Sequence, residues 1–312
     1  MKINAKAFHR DSTFWKPFKR RDVKSLLSTP PLQQNFPVQP REGQYFRNYN
    51  SSSLLNKIPD TSNTLAKTKI SETVRTKMVD WIFEVLVKLE TSEFFSEHVF
   101  HRAVLIMDIY FMLCKDKVLD DHDVHIIGVT SMWIASKYDD TYPIPINEFT
   151  QVAAPGVFTN DDLKEMEFKI LDSLSFFVSF STVGDVADYY LSKIQTKVEL
   201  SSLVRIRQGA GFALLISAYN VEFNNFSLQH LAIAGLILGI HNLSNESLRD
   251  PSIKKIRSLD LINILLEEMK EDKEKVNGVL KKLRKDVMSY FDESNQTKTI
   301  LDFCNFDKLN FV

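Results

Sequence analysis

The sequence predicts an all-α fold of two tandem five-helix bundles, preceded by an N-terminal helix and tail. Glycine occurs 9 times and proline 10 times in 312 residues, which is sparse for a chain rich in strands or loops. From residue 70 onward, apolar residues recur at spacings of three and four, the pattern of helices that bury one face. These helical patterns fall into two runs of five, which places one bundle at residues 70–176 and a second at residues 177–292.

The first run of helical patterns covers residues 74–89, 95–114, 121–138, 146–153 and 159–174. In the third pattern, Gly128, Ser131 and Ala135 share one face, and such small residues let neighbouring helices approach closely. Thr159 and Asp162 have the spacing of a capping box at the start of the fifth. We therefore expect the third helix at the centre of this bundle.

The second run covers residues 181–194, 200–218, 227–241, 253–270 and 273–291. Turn signals separate these patterns at Asn224-Asn225 and from Asn242 to Pro251. Residues 231–240 are apolar on every side, so this helix is expected at the buried centre of the second bundle.

Charge and cysteine content exclude several classes of protein. The chain has 39 Lys and Arg against 40 Asp and Glu, so no overall positive field attracts nucleic acid or anionic lipid. Cys114 and Cys304 fit no metal or disulfide spacing, and no apolar run approaches the ~18 residues that a membrane span needs. We expect a soluble intracellular protein, nuclear and/or cytoplasmic, without cofactor or bound metal and without nucleic-acid or membrane partners.

The chain ends differ from the bundles in composition. Residues 1–43 are basic and proline-rich, which predicts a disordered tail, and residues 44–69 are interpreted as an N-terminal helix and linker. A polar C-terminal tail is predicted over residues 293–312. The cluster Lys19-Arg20-Arg21 fits a nuclear import signal and a solvated basic patch equally well.

Four sequence blocks in the first bundle resemble the cyclin family, in family order and at family spacing. They are Val74-Arg75-Thr76-Lys77-Met78-Val79-Asp80-Trp81-Ile82-Phe83-Glu84-Val85, His101-Arg102-Ala103-Val104 with Met107-Asp108-Ile109-Tyr110, Ala135-Ser136-Lys137-Tyr138-Asp139-Asp140-Thr141-Tyr142-Pro143, and Met166-Glu167 with Leu171 and Leu174-Ser175-Phe176. The resemblance implies two tandem cyclin-box bundles. It also implies a regulatory subunit, not an enzyme, that binds and activates a cyclin-dependent protein kinase in cell-cycle control.

The resemblance assigns roles to particular residues. Arg75 and Asp108 correspond to an internal ion pair, whose role is structural. Lys137 and Glu167 correspond to positions that face the kinase and hold its regulatory helix in the active setting. Apolar contact would come from Tyr138, with Ile134 and Phe168 if these are exposed, and an acidic rim from Asp139 and Asp140.

A second site implied by the resemblance is a groove beside the first helix, where cyclins dock peptides of substrates or inhibitors. The groove positions here are Val74, Lys77, Met78, Trp81, Glu84, Asp121, Val124 and His125. Three of these depart from the family pattern: Lys77 replaces an apolar residue, and Asp121 and His125 stand where basic and amide residues are usual. The positive charge of Lys77 repels a cationic peptide. This argues against the family's usual peptide docking, and a different peptide preference is the alternative.

Three alternatives remain open. His98 with His101, and His122 with His125, have a spacing that can ligate a metal, as in an enzyme, although no zinc motif accompanies them. DNA-gripping transcription factors also use cyclin-like repeats, and a basic face for that role is offered by Lys254, Lys255, Arg257, Lys281, Lys282, Arg284 and Lys285. The third is a cyclin-fold scaffold that binds a kinase without activating it, or a transcription-type cyclin without substrate docking.

Overall fold

The computed structural model describes most of the chain from Ile70 onward. The described residues are 65, 70–89, 97–114, 117–250, 252–253, 255–269 and 272–292. The predicted tails at 1–43 and 293–312 lie outside them, and so does the predicted helix and linker at 44–69 apart from Leu65. Within the described residues every regular element is a helix, which confirms the all-α prediction. None of the helices in this part of the chain is long and apolar enough to cross a membrane.

The first bundle has its five helices close to the predicted positions. They are α1 (Glu72–Leu89), α2 (Glu97–Leu113), α3 (Asp121–Asp139), α4 (Ile146–Glu148), which continues as a π-helical turn (Phe149–Ala153), and α5 (Asn160–Ser173). Every boundary lies within two residues of the prediction. The agreement follows from strong apolar periodicity together with clear capping residues.

Capping boxes begin three of the helices in the described residues. In each box a side-chain oxygen accepts the backbone N–H three residues along, and the carboxylate there accepts the N–H of the capping residue. The pairs are Asp120–Asp123 before α3, Thr159–Asp162 before α5 and Thr182–Asp185 before α6 (Val183–Ile194). The box predicted at Thr159 is therefore confirmed.

Helix α3 lies at the centre of the first bundle, as predicted. Gly128, Ser131 and Ala135 are all buried, and α3 packs against α1, α2 and α5. A Cβ atom at Gly128 would collide with the side chain of Met78 on α1. The flexible end of the Met78 side chain therefore packs into the space that Gly128 leaves open between α1 and α3.

The second bundle contains α6, α7 (Leu200–Tyr219), α8 (Leu228–Arg249), α9 (Ser258–Glu267) and α10 (Lys273–Asp292). Residues 231–240 of α8 are all buried, and α8 packs against the other four helices of the bundle, which confirms its predicted central position. A short 3-10 turn at Val221–Asn225 matches the predicted turn at Asn224-Asn225. Together the two bundles complete the predicted fold class.

Two predicted boundaries in the second bundle are wrong. Helix α8 runs on to Arg249, because Asn242 is buried inside it and donates its amide to Glu246 Oε1 at 3.0 Å, four residues along the same helix. Helix α9 begins at Ser258 and not near 253. Between them, Asp250 Oδ1 accepts the backbone N–H of Ser252 at 2.9 Å, which closes a turn after α8.

The two bundles are joined around a buried ion pair. Arg75 on α1 donates to both carboxylate oxygens of Asp108 on α2, at 2.8 and 2.7 Å. It also donates to the carbonyl oxygen of Ala218 in α7 at 2.9 Å, and the amide of Asn224 donates to Asp108 at 3.0 Å. The ion pair implied by the resemblance is therefore present, and it connects the first bundle to the second.

Replacing two glycines by alanine tests the close packing of α7 and α8, because the two changes should alter the free energy of unfolding in opposite directions. A Cβ at Gly239 would collide with the Ile206 carbonyl oxygen, which is backbone and cannot move aside, whereas a Cβ at Gly278 on α10 meets no atom within 4 Å. We expect Gly239→Ala to lower the free energy of unfolding by ~1 to 3 kcal/mol. Gly278→Ala should raise it by ~0.5 to 1 kcal/mol, because alanine loses less backbone entropy in a helix. Urea denaturation followed by circular dichroism measures both, and equal signs would contradict this packing.

Candidate protein-docking surface

Lys137 and Glu167 form an ion pair between the last turn of α3 and the middle of α5. The Lys137 ammonium also lies 3.6 Å from the centroid of the Trp133 ring, a cation–π contact from the same helix. Both side chains are partly exposed. The structure therefore brings the two predicted kinase-facing residues together and holds the lysine in one orientation.

Four exposed aromatic residues lie near this ion pair: Tyr138 and Phe168 follow Lys137 and Glu167 in sequence, Phe176 contacts Phe168, and Phe177 follows Phe176. The exposed fractions are 40% for Tyr138, 62% for Phe168, 60% for Phe176 and 48% for Phe177. We call these four residues, with Lys137 and Glu167, the docking surface. Clustered exposed aromatics around a polar pair are typical of a protein-binding site.

The residues of the docking surface belong to one ring of contacts, which also passes through the buried residues Arg102 and Phe180. The Phe168 and Phe176 rings are 6.3 Å apart, and the Phe177 and Phe180 rings 6.4 Å apart. The Arg102 guanidinium lies 5.8 Å from the Phe180 ring and 4.3 Å from that of Tyr138. Neighbours in sequence and the Lys137–Glu167 ion pair complete the circuit.

Phe176 adopts a backbone conformation that aromatic residues rarely take. Ser175 and Phe176 have φ angles of 51° and 57°, in the left-handed region. Hydrogen bonds from Phe176 N to Leu171 O at 2.7 Å and from Phe177 N to Leu174 O at 2.9 Å hold this strained turn. Strain that the surrounding structure maintains is often functional, and here it places two aromatic rings at the surface. Phe176 belongs to one of the sequence blocks that resemble the family, but neither Phe176 nor Phe177 was predicted as a site residue.

Two residues predicted for this surface are not available to a partner. Ile134 is 3% exposed and belongs to the bundle core. The Asp139 side chain is 3% exposed and pairs with Arg102 at 2.6 Å, so the prediction that it forms an acidic rim is wrong. A buried carboxylate needs a cation, and Arg102 on α2 supplies one that sequence spacing did not reveal.

Asp140, the other predicted rim residue, is only half-buried. It accepts a hydrogen bond from Ser136 Oγ at 2.8 Å, and the same hydroxyl accepts the backbone N–H of Ile144 at 2.9 Å. Burial raises the pKa of the Asp140 carboxyl above its usual value. The Asp140 carboxylate therefore takes part in the hydrogen bonds that end α3 and is only partly accessible to a partner.

A cluster of charges lies behind the docking surface, where α2 meets α6 and α7. His98 contacts Asp185 at 3.4 Å and Asp188 at 3.2 Å, and Arg207 bonds Asp188 at 2.5 Å and Glu97 at 2.6 Å. Burial lowers the pKa of His98, but the hydrogen bonds to the two aspartates outweigh it and raise the pKa to about 10. His98 is therefore a cation at neutral pH and forms part of a salt-bridge network between the bundles.

The residues predicted for a peptide groove lie on α1 and at the start of α3. Lys77 and Asp121 are exposed, and Val74, Trp81 and Glu84 are partly exposed. The remaining three, Met78, Val124 and His125, are buried. The Trp81 and His125 rings meet edge to face at 4.7 Å, and burial lowers the pKa of His125 to about 4, so this ring is neutral at physiological pH. The three buried residues therefore support the surface from beneath, and whether a peptide binds there stays a prediction.

The histidine pairs are not arranged as metal ligands. His98 pairs with aspartates, and burial together with the nearby His98 lowers the pKa of His101 to about 3. His125 packs between Trp81 and Phe158. In the described part of the chain, Asp120, His122 and Asp123 bring potential ligand atoms within 4.8 Å of one another, but both carboxylates already cap α3.

Two of the described basic residues proposed for a DNA-binding face pair with carboxylates: Lys282 with Glu222 and Arg257 with Asp260. Arg284 Nη2 lies 3.0 Å from His241 Nδ1, a contact that neutralises no charge. Lys254 lies outside the described residues. The DNA-binding alternative stays a prediction.

Comparison with known proteins identifies the family. The family described as the cyclin N-terminal domain matches residues 44–179. The chain is 28% identical over 193 residues to G2/mitotic-specific cyclin-A of Patella vulgata, which covers 60% of this chain and 39% of that protein. These matches confirm the resemblance to the cyclin family that the four sequence blocks indicated. The chain is also 26% identical over 179 residues to G2/mitotic-specific cyclin-B3 of Mus musculus, covering 57% of this chain and 12% of that protein.

A solved structure agrees with the fold of this chain. The viral cyclin of herpesvirus saimiri superposes with a TM-score of 0.61 at 18% identity, covering 76% of this chain and 94% of that one. At this identity the match supports the fold and not a shared activity. The matched stretch spans less than half the length of each of the cyclin-A and cyclin-B3 relatives.

The raised pKa of His98 predicts a change of stability with pH. Its pKa is about 10 in the folded protein, against 6.5 for an ordinary histidine. The folded state therefore binds more protons between these values, and the stability that His98 contributes is complete below pH 6.5 and is lost as pH rises through 10. The groups facing it are Asp185, Asp188, Arg207 and His101.

We expect His98→Gln to be less stable than the original protein at pH 6, and the difference in melting temperature to shrink towards pH 10. Thermal denaturation followed by circular dichroism across this range measures the difference. A difference that stays constant with pH would show that His98 is not held as a cation.

Proposed function

We propose that the chain is a cyclin, the regulatory subunit of a cyclin-dependent protein kinase, and that it acts in cell-cycle control. The observation that carries the proposal is the docking surface, where exposed aromatic side chains lie beside the Lys137–Glu167 ion pair. Family membership supports a kinase regulator in general terms, and the relatives' names associate those proteins with the G2 and mitotic phases. The nuclear and/or cytoplasmic location expected from the sequence accompanies this proposal.

The mechanism we propose is allosteric. A kinase of this class without its partner holds its regulatory helix, with the glutamate of its catalytic Lys–Glu pair, out of position. Binding shifts such a two-state element only if the partner contacts the active arrangement more favourably than the inactive one. The docking surface offers apolar area for one face of that helix, and Lys137 and Glu167 offer a donor and an acceptor for its backbone ends. An interface above ~2,000 Å² in total is expected of a permanent complex.

Lys137 and Glu167 differ in what they can do for a partner. The ammonium can donate to carbonyl oxygens at the C-terminal end of a partner helix, where the helix dipole favours a cation. The carboxylate can accept backbone N–H groups at an N-terminal end. Since the two groups also bond each other, a partner replaces an existing ion pair and gains most where its own groups match both.

The proposal predicts that Lys137→Ala with Glu167→Ala abolishes kinase binding and leaves the fold intact. Removing both members leaves no unpaired charge, so helical content and melting temperature should stay near those of the original protein. The measurement is affinity purification of the tagged chain, identification of the bound kinase by mass spectrometry, and a protein kinase assay of the eluate.

A matched control uses another ion pair on α5. Asp161 and Lys164 are exposed and lie outside the ring of contacts, so Asp161→Ala with Lys164→Ala should retain the kinase. Kinase activity that appears only when this chain is present would support activation, and a bound but inactive kinase would support a scaffold. Equal kinase recovery with both double variants would place the contact elsewhere.

A further inference from the structure

Arg102 is a buried arginine whose partners come from three separate parts of the chain. It is 2% exposed. Its Nε donates to Asp139 at the end of α3 at 2.6 Å, and Nη1 donates to the carbonyl oxygens of Val178 at 2.9 Å and Phe180 at 2.7 Å. Its Nη2 lies 3.4 Å from Asp185 at the start of α6. One guanidinium thus connects α2 with α3, with the segment between the bundles and with the second bundle.

The same guanidinium lies beneath the docking surface. The Tyr138 ring lies on it at 4.3 Å while 40% of Tyr138 remains exposed. Phe180, whose carbonyl Arg102 binds, packs against the exposed Phe177 at 6.4 Å. Arg102 therefore supports two of the four exposed aromatic residues: it contacts Tyr138 directly and Phe177 through Phe180. It is itself too buried to touch a partner.

We propose that Arg102 is a positioning residue that presets the docking surface by fixing Tyr138 and the segment of residues 177–182. The inference rests on the proposed function for the identity of the partner. A surface held in its binding conformation before association loses less entropy on binding, so its affinity depends on the residue that holds it. Aromatic rings bury a large area and prefer particular mutual orientations, so a ring held in its binding orientation contributes more to affinity than a mobile one.

The arrangement also links the docking surface to the second bundle. Asp185, which Arg102 contacts, belongs to the charge cluster that includes His98, Asp188 and Arg207. This cluster reaches Glu97, whose carboxylate fills the space where a Cβ at Gly211 would be. A displacement of α6 or α7 would therefore move the partners of Arg102, and through them the rings of the docking surface.

The chain contains a matched control for this residue. Arg75 is equally buried, at 1% exposed, also pairs with an aspartate, and also donates to a backbone carbonyl that belongs to the second bundle. Nothing in the ring of contacts that forms the docking surface involves Arg75. Arg102→Lys and Arg75→Lys both keep a positive charge and lose the planar fork, so they remove similar bonds at two different places.

The experiment measures the dissociation constants of both variants for the kinase that the original chain binds. We expect Arg102→Lys to raise Kd by at least about tenfold. Arg75→Lys, at equal or greater loss of melting temperature, should leave Kd within about threefold. If either lysine variant fails to fold, Asp139→Asn and Asp108→Asn replace the pair, since each keeps the shape of the aspartate. Equal losses of affinity in the two matched variants would show that Arg102 only stabilises the fold, and would overturn the proposal.

A double-mutant cycle tests whether Arg102 acts through the surface. Tyr138→Ala should cost less affinity in the Arg102→Lys background than in the original protein, because the ring has already lost its support. Additive losses would show that Arg102 does not act through Tyr138 and would contradict the inference.

Amide hydrogen exchange of the free chain separates this inference from the proposed function. Arg102→Lys should speed exchange in residues 137–142 and 177–182, and Arg75→Lys should not. If the original chain binds no cyclin-dependent kinase, the proposed function fails, while faster exchange confined to these segments would still support the positioning role. Unchanged exchange in both segments would overturn it whatever the partner.

Discussion

The two bundles meet around two buried guanidinium groups, and their relative placement depends on satisfying the N–H donors of both. Arg75 and Arg102 each come from the first bundle, pair with a carboxylate and donate to backbone carbonyls beyond it, those of Ala218 in one case and of Val178 and Phe180 in the other. A buried cation that loses its partners is strongly unfavourable, so a shift of one bundle against the other is opposed at both points. Apolar packing alone would allow more sliding, because it is not directional.

The docking surface derives its shape from this junction. Aromatic side chains have few rotatable bonds and large areas, so they bind at a low cost in conformational entropy once their backbone is fixed. Tyr138 is fixed by a guanidinium, and Phe176 by a left-handed turn that backbone hydrogen bonds maintain. The left-handed turn costs folding free energy locally, and both aromatic residues lie on the docking surface, where apolar area is exposed.

Much of the fold was predictable because it depends on residues close together in sequence. Helix periodicity and capping boxes involve positions three or four apart, and the Arg75–Asp108 ion pair followed from the family resemblance. The burial of the Asp139 side chain was not predictable, because its partner Arg102 lies 37 residues away and has no feature in the sequence that distinguishes it from other helical arginines. The exposure of Phe176 depends on a positive φ angle. The local sequence does not predict this angle, because glycine or asparagine usually occupies such a position.

An ion pair beside exposed aromatic rings contributes more to the selectivity of partner binding than to its affinity. When a partner covers the surface, Lys137 and Glu167 lose contact with water, and that desolvation can cancel what their mutual attraction supplies. A partner that presents only apolar groups would leave both charges imperfectly satisfied, whereas one with a matching acceptor and donor would restore their hydrogen bonds. The rings supply the apolar contact that many proteins could use, and the ion pair restricts which of them can use it. The arrangement therefore suits a subunit that must recognise one class of partner among many with similar apolar helices.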